Sequence, residues 1–424
     1  MVFVMNFSKT NYSDRCLQVA GWSFVLAIFF AAFSTALVNI FSIAGLVFWF
    51  LSGQIVIHMK RMIRNPLCVA LLSFILLLIA SISWATPSVS SALDGIKTYR
   101  KLLFFFAVFA ICWFLPQWKD RLSNALFFSI FITALASICV AIGVPGFPEP
   151  DPGQGAIFMK NHITQGFLMG ILVLLGVRHI LFSSSKVWKI VGALAVVLAV
   201  YVTFYLTNGR TGFLSVGLAL GSLVLFLPRT LKQKVVVFSA VAVLMAGVLA
   251  TSDRFQNRFD QATSEIEQYS TQVDVKQKTS MGLRMLFWER GLNIIESAPF
   301  LGYGVGSWSY QFDQDQLKDG IDKNSSKYQV CGNPHNDYIM MASQVGVLGL
   351  MLWLLFLGMI YRFSKIMSFN DSFLIQGVLL IYCCGCLFNS FTYDVTEGTV
   401  FLILSAGFLG AAFRHIEFFR KVEV

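Results

Sequence analysis

Apolar residues in this chain run in long blocks, and the polar residues gather between them. A membrane-spanning helix needs about 20 mostly apolar residues. Twelve stretches meet or approach that length: Leu17–Ser34, Ala36–Val56, Pro66–Ala85, Leu102–Leu115, Ser123–Val144, Gln165–Val177, Val187–Thr207, Thr211–Pro228, Val235–Thr251, Asn336–Tyr361, Ser372–Phe391 and Thr399–Phe413. The fourth, sixth and twelfth are short and borrow flanking residues. The first flows straight into the second, so it reads as a span and not as a cleaved signal. An even number of spans puts both termini on one side. The pattern predicts an all-α polytopic membrane protein with about 12 transmembrane helices.

Composition narrows the class. Of 424 residues, 56% are hydrophobic and 13% charged, with 42 Phe, and the mean hydropathy is +0.70. Soluble domains carry about 25% charged residues. A soluble enzyme, a nucleic-acid module and a disordered chain are therefore excluded. The net charge of +10 has a topological reading, because Lys and Arg concentrate in cytoplasmic loops. With the N-terminus inside, inner segments hold 18 Lys and Arg and short outer loops hold 5. This predicts cytoplasmic termini and no nucleic-acid partner. Seven of eight Cys lie in or beside apolar spans, and Cys383-Cys384-Gly385-Cys386 reads as helix packing, not as a metal cluster.

The same orientation divides the chain into spans 1–251, an extracytoplasmic segment 252–335, and the last three spans with the C-terminus, 336–424. Segment 252–335 is the one part large enough for a small domain. It reads as helical, with an amphipathic run Met281–Glu296 that Ser280 would cap and Ala298-Pro299 would end. Such a helix can lie along the membrane surface.

Candidate chemistry collects on the outer side. His335, in Asn333-Pro-His-Asn-Asp337, precedes a span whose N-terminus faces outward. The positive dipole end there disfavours imidazolium, leaving a neutral base; the alternative is a spectator in a capping turn. Arg210, in Asn208-Gly-Arg-Thr-Gly212, heads another outward-facing span. A guanidinium at a helix N-terminus suits a phosphate, or else reaches lipid headgroups. Arg284 lies in the first turn of the amphipathic helix with Trp288 four residues on, on one face; a packed cation–indole pair is the plainer reading. His58, His179 and His415 read as interfacial anchors. The acid pairs Asp313/Asp315 and Glu149/Asp151 read chiefly as solvated loops, so no metal site is expected. Gly302-Tyr-Gly-Val-Gly306 lacks the strand and spacing of a dinucleotide loop and reads as a turn close to substrate.

These residues resemble the O-antigen ligase family, part of a superfamily with O-antigen polymerases and protein O-oligosaccharyltransferases. The resemblance rests on the span plan and on the order and side of several motifs: Asn-Gly-Arg210-Thr-Gly, Gly-Leu-Arg284 with Trp288, Ala298-Pro-Phe-Leu-Gly302-Tyr-Gly-Val-Gly306, His335-Asn-Asp-Tyr338 and Gln344-Val-Gly346-Val-Leu-Gly349. It implies a GT-C-like architecture in the bacterial inner membrane with a periplasmic site. The implied reaction is an inverting, metal-independent and cofactor-free transfer of O-antigen polysaccharide. The donor is an undecaprenyl diphosphate and the acceptor is lipid A–core oligosaccharide. His335 would be the base, and Arg210 with Arg284 would hold the diphosphate. Lys160, His162, Trp288, Tyr303, Asn336 and Tyr338 are candidate pocket-lining residues, with anchoring before the sixth span as the alternative for His162. The chain is expected to act as a monomer.

Members of this family often carry Glu nine residues after the His; here it is Gln344, an amide that cannot titrate. Nine residues are about 13 Å along a helix, so a structural role is expected. A polymerase or a protein-glycosylating ligase shares donor and topology. A transporter of lipid-linked sugars would need charges inside the spans, and the spans carry almost none.

Overall fold

The computed structural model describes residues 12–227, 230–271, 279–325 and 327–422. For 268–271 and 415–422 the backbone alone is described, so Lys9 and Arg229, and the side chains of His415, Arg420 and Lys421, lie outside the described residues. The protein is all-α. Its helices are α1 Tyr12–Phe29, α2 Thr35–Leu51, α3 Ile55–Met62, α4 Pro66–Ala80, α5 Val89–Thr98, α6 Leu102–Phe114, α7 Trp118–Ala141, α8 His162–Phe182, α9 Lys186–Tyr201, α10 Arg210–Phe226, α11 Leu231–Thr251, α12 Asp253–Thr271, α13 Ser280–Ser297, α14 Trp308–Lys318, α15 Asp337–Ser364, α16 Phe369–Gly385 and α17 Val395–Val422.

Each of the twelve apolar blocks contains a helix. Eight helices among the described residues are long and apolar enough to cross a membrane, and α10 and α16 are shorter apolar helices. The second block is not one straight span. It ends at Leu51, and α3 leaves at 99°, because Gly53 turns the chain with φ 69°. The outer helices bury little: only 6% of α11 is covered by protein, against 89% of α17. Such apolar outer surface is stable only in lipid, so this is a multi-pass membrane protein.

Glycines set the packing that matters for the site. A Cβ on Gly166 would meet the Gly212 Cα at 2.4 Å, and one on Gly170 would meet the Ser215 carbonyl at 2.8 Å. Helices α8 and α10 therefore cross backbone to backbone, as small residues allow in membranes. That crossing puts His162 beside Arg210. The end of α9 widens into a π-helical turn over Val202–Leu206. Its Leu206 carbonyl accepts from Ala156 N–H, which docks the 151–160 loop next to the Arg210 turn.

Helix α15 is broken, where a single continuous span was expected. Val345 and Gly346 leave helical geometry, and Gly346 has φ 66°. The freed groups pair with the 299–304 segment: Tyr303 N–H donates to Ser343, Gly304 N–H to Gln344, and Val347 N–H to the Pro299 carbonyl. The glycine-rich stretch is thus a backbone splint for a discontinuous helix. The buried Gln344 accepts from the Tyr99 hydroxyl at 3.3 Å, a structural contact.

Helices α12, α13 and α14 lie together at the α15 N-terminal end. A small separate core of Phe287, Ile294, Trp308, Phe312, Cys331 and Met340 joins α13 and α14 to α15. The cap of α13 is Thr279, not Ser280: its side chain accepts from Gly282 N–H at 3.1 Å, one residue earlier than expected.

Candidate active site

The Arg210 turn, α12 and α13 enclose a polar cavity of about 210 Å³, lined by Gly153, His162, Asn208, Arg210, Thr211, Arg258, Gln261, Ser280 and Arg284. Two arginines separated by 74 positions in sequence thus face one space. The Arg210 guanidinium is held by Glu265, with contacts of 3.2 Å and 3.3 Å to its two carboxylate oxygens. Among the described residues no hydrogen bond or ion pair fixes the Arg284 guanidinium. Its pKa is lowered by burial and then by the Arg210 charge. His162 stands in the same wall, with its Nδ1 3.0 Å from the Gln154 side-chain oxygen.

His335 packs against the next turn of α13, through Phe287. The first turns of α13 present residues 284, 287 and 288 on one face, at i, i+3 and i+4, and that face covers the 333–336 turn. The Phe287 ring stacks on His335 with centroids 6.4 Å apart. The Trp288 indole donates to the Pro334 carbonyl at 3.1 Å, so it clamps that turn. His335 adopts φ 51°, an uncommon conformation for a non-glycine residue that marks sites held by their surroundings. Its N–H donates to the Asn333 Oδ1 at 2.6 Å. Burial first, and the Arg284 charge second, hold the imidazole pKa below 6.5. The expected neutral imidazole has these two causes in place of the helix dipole alone.

The other candidates separate by role. Asn336 caps α15, accepting from Tyr338 and Ile339 N–H, and donates to the Leu387 carbonyl at 3.0 Å. Tyr338 donates to the Cys383 carbonyl at 2.8 Å. Tyr303 packs against the small core of α13 and α14. None of the three is among the cavity walls. Lys160 reaches Thr396 Oγ1 at 3.3 Å, and burial lowers its pKa. Asp315 is taken up by Arg290 at 2.7 Å, and Asp151 accepts from its own turn, from Gly153 and Gln154 N–H.

Sequence reasoning missed the loop between α16 and α17. Asn389 donates to Thr211 Oγ1 at 3.1 Å, and Ser390 donates to Asn333 Oδ1 at 2.7 Å. One loop therefore touches both the Arg210 turn and the His335 turn. Asp337 accepts from Thr392 N–H at 2.6 Å and from the Cys386 thiol at 3.0 Å. Lys101 donates to the Tyr393 and Asp394 carbonyls. Burial, and then Glu397, push the Asp394 carboxyl up to about 8. The signal was the polar run Asn389-Ser-Phe-Thr-Tyr-Asp394 at the end of an apolar block. Arg258 was also missed; it donates to the Gly153 carbonyl at 2.9 Å and faces the cavity.

Along the adjoining face of α13 lies an apolar groove of about 600 Å³, walled by Ile266, Met281, Met285, Trp288, Glu289, Leu292 and Phe388.

Residues 194–354 match the family model for O-antigen ligase. Over this segment, somewhat more than a third of its length, the chain is similar to that family, which supports membership of the O-antigen ligase/polymerase superfamily. The family match spans Arg210, Glu265, Arg284 and His335, and carries O-antigen ligase/polymerase-type activity in general. His162 and the α16–α17 loop lie outside it. No curated protein matches the chain.

Proposed function

We propose that this chain is an inverting, metal-independent glycosyltransferase of GT-C-like architecture. It ligates O-antigen polysaccharide from undecaprenyl diphosphate onto lipid A–core oligosaccharide. It works as a monomer in the bacterial inner membrane, with its termini in the cytoplasm and its site on the periplasmic face. The observation that carries this reading is the position of Arg284, which lines the cavity beside Arg210 and also bears on His335.

The chemistry follows from that placement. The donor diphosphate bridges Arg210 and Arg284, whose planar forks bind phosphate oxygens without giving up a proton. Its prenyl chain lies in the apolar groove on the adjoining face of α13. The anomeric carbon then points toward the 333–336 turn. An acceptor hydroxyl has a high pKa and needs a base in reach. Neutral His335 takes its proton as the oxygen attacks. The new carbon–oxygen bond forms while the anomeric carbon–phosphate oxygen bond breaks, inverting that carbon. Negative charge grows on the departing diphosphate, where the guanidiniums stabilise it.

The test uses purified full-length protein, a lipid-linked glycan and a rough lipopolysaccharide. Glycan appearing on the lipid A carrier, undiminished by EDTA, supports ligation. Longer glycan on the undecaprenyl carrier would assign a polymerase, and strict dependence on a divalent cation would overturn the metal-independent step.

A further inference from the structure

We infer that Glu265 is a built-in competitor for the anion site, one that makes the cavity select a diphosphate over a single phosphate and helps to release it. The inference rests on the reading of Arg210 and Arg284 as the donor's diphosphate site. Glu265 is on α12, and its side chain is 5% exposed. Its two oxygens sit against the two terminal nitrogens of Arg210, at 3.2 Å and 3.3 Å. The oxygen nearer Nη1 also accepts from Met281 N–H at 3.2 Å, in the first turn of α13. A carboxylate in this position offers Arg210 the same planar, two-oxygen face that a phosphate offers.

Two consequences follow for a ligand. To use both arms of the Arg210 fork it must displace a paired carboxylate. A single phosphate that does so gains little beyond what Glu265 already supplies. A diphosphate reaches Arg210 and Arg284 together, and the Arg284 guanidinium faces the same cavity with no carboxylate fixed to it among the described residues. After transfer the departing carrier still bears its diphosphate. Return of Glu265 to Arg210 then weakens its hold. The carboxylate also keeps a second contact at Met281 N–H, so it stays within reach while displaced from one arm.

The experiment compares wild type, Glu265→Gln and Arg210→Ala as full-length protein in detergent, with inorganic pyrophosphate and inorganic phosphate as probes. Gln keeps the shape and an acceptor for Met281 N–H but removes the charge. Losing one competing ion pair should tighten pyrophosphate binding by roughly five- to tenfold, and phosphate binding by a larger factor, narrowing the preference. In turnover with lipid-linked donor, Glu265→Gln should lower KM and kcat together, because the carrier leaves slowly. Unchanged or weaker pyrophosphate binding in Glu265→Gln, with the same melting temperature as wild type, would overturn the role of Glu265 while leaving the site in place. Should that variant melt early, Glu265→Asp takes its place: it keeps the charge on a shorter arm and should bind pyrophosphate more tightly than wild type, and weaker or equal binding counts against the inference. If Arg210→Ala binds pyrophosphate as wild type does, the diphosphate site itself is wrong.

Discussion

Ser390 donates a hydrogen bond to the side-chain oxygen of Asn333 at 2.7 Å, and the same oxygen receives the His335 N–H. The neighbouring Asn389 holds Thr211, next to Arg210. The His335 turn and the Arg210 turn are therefore registered by two adjacent residues of one loop.

That bond makes a first prediction. Ser390→Ala frees one side of the Asn333 oxygen and loosens the His335 turn. A hydrogen bond of this kind contributes about 1 kcal/mol, so kcat should fall roughly fivefold with donor KM little changed. Steady-state kinetics with lipid-linked donor checks this; a raised KM with unchanged kcat would place the effect on the anion side.

His335→Ala should cut transfer by roughly 10²- to 10⁴-fold, the usual contribution of a positioned base. Pyrophosphate binding should remain, since His335 is not among the cavity walls. Near-normal turnover by the purified variant would remove His335 from the mechanism.

Arg210→Ala and Arg284→Ala should each weaken donor binding, by about 1.5–3 kcal/mol for a charged hydrogen-bonding partner. Lys at either position should restore only part, because an ammonium lacks the fork. Equal rescue by Lys would argue for simple charge in place of bidentate recognition. Titration calorimetry with pyrophosphate separates the cases.

The pH profile has a definite sign. His335 is held below 6.5 by burial and by Arg284. Activity, which needs the neutral form, should persist as pH falls through 6.5 and drop only below it. Arg284→Met removes the smaller of the two causes, so the acid limb should move part of the way back up. Stability moves in the same sense: the unfolded chain takes up this proton more readily than the fold does, so His335 contributes stability above its ordinary value that is lost as pH falls. Profiles of kcat/KM between about pH 5 and 8 test the base.

The broken helix gives a stability pair. A Cβ at Gly346 would lie 2.1 Å from the Phe300 carbonyl oxygen, and its φ is +66°. Gly346→Ala should cost at least about 1–3 kcal/mol. A Cβ added at Gly217, within α10, would meet no atom within 4 Å, so Gly217→Ala should raise stability by about 0.4–1 kcal/mol. Melting curves in detergent check both.

Much of this was legible from the chain alone where the physics is local. The blocks of apolar residues located a helix in each predicted span, since spanning a lipid layer imposes length and composition on contiguous residues. The amphipathic run at Met281–Glu296 marked α13 to within a residue or two, because helix caps and Pro act on near neighbours. Arg210, Arg284 and His335 were recognisable as candidates because each lies beside a helix start.

What the chain could not disclose is which distant groups meet. Glu265 against Arg210, Ser390 against Asn333 and Gln344 against Tyr99 pair residues 55, 57 and 245 positions apart, and no periodicity encodes such pairs. The break at Val345–Gly346 was hidden too, because its freed backbone groups are satisfied by the remote 299–304 segment. Sequence settled the segments and the side-chain chemistry on offer, through short-range constraints of length, polarity and capping. Only the tertiary structure decided the partners, because those are fixed by how helices cross, as where Gly166 and Gly212 let α8 and α10 touch.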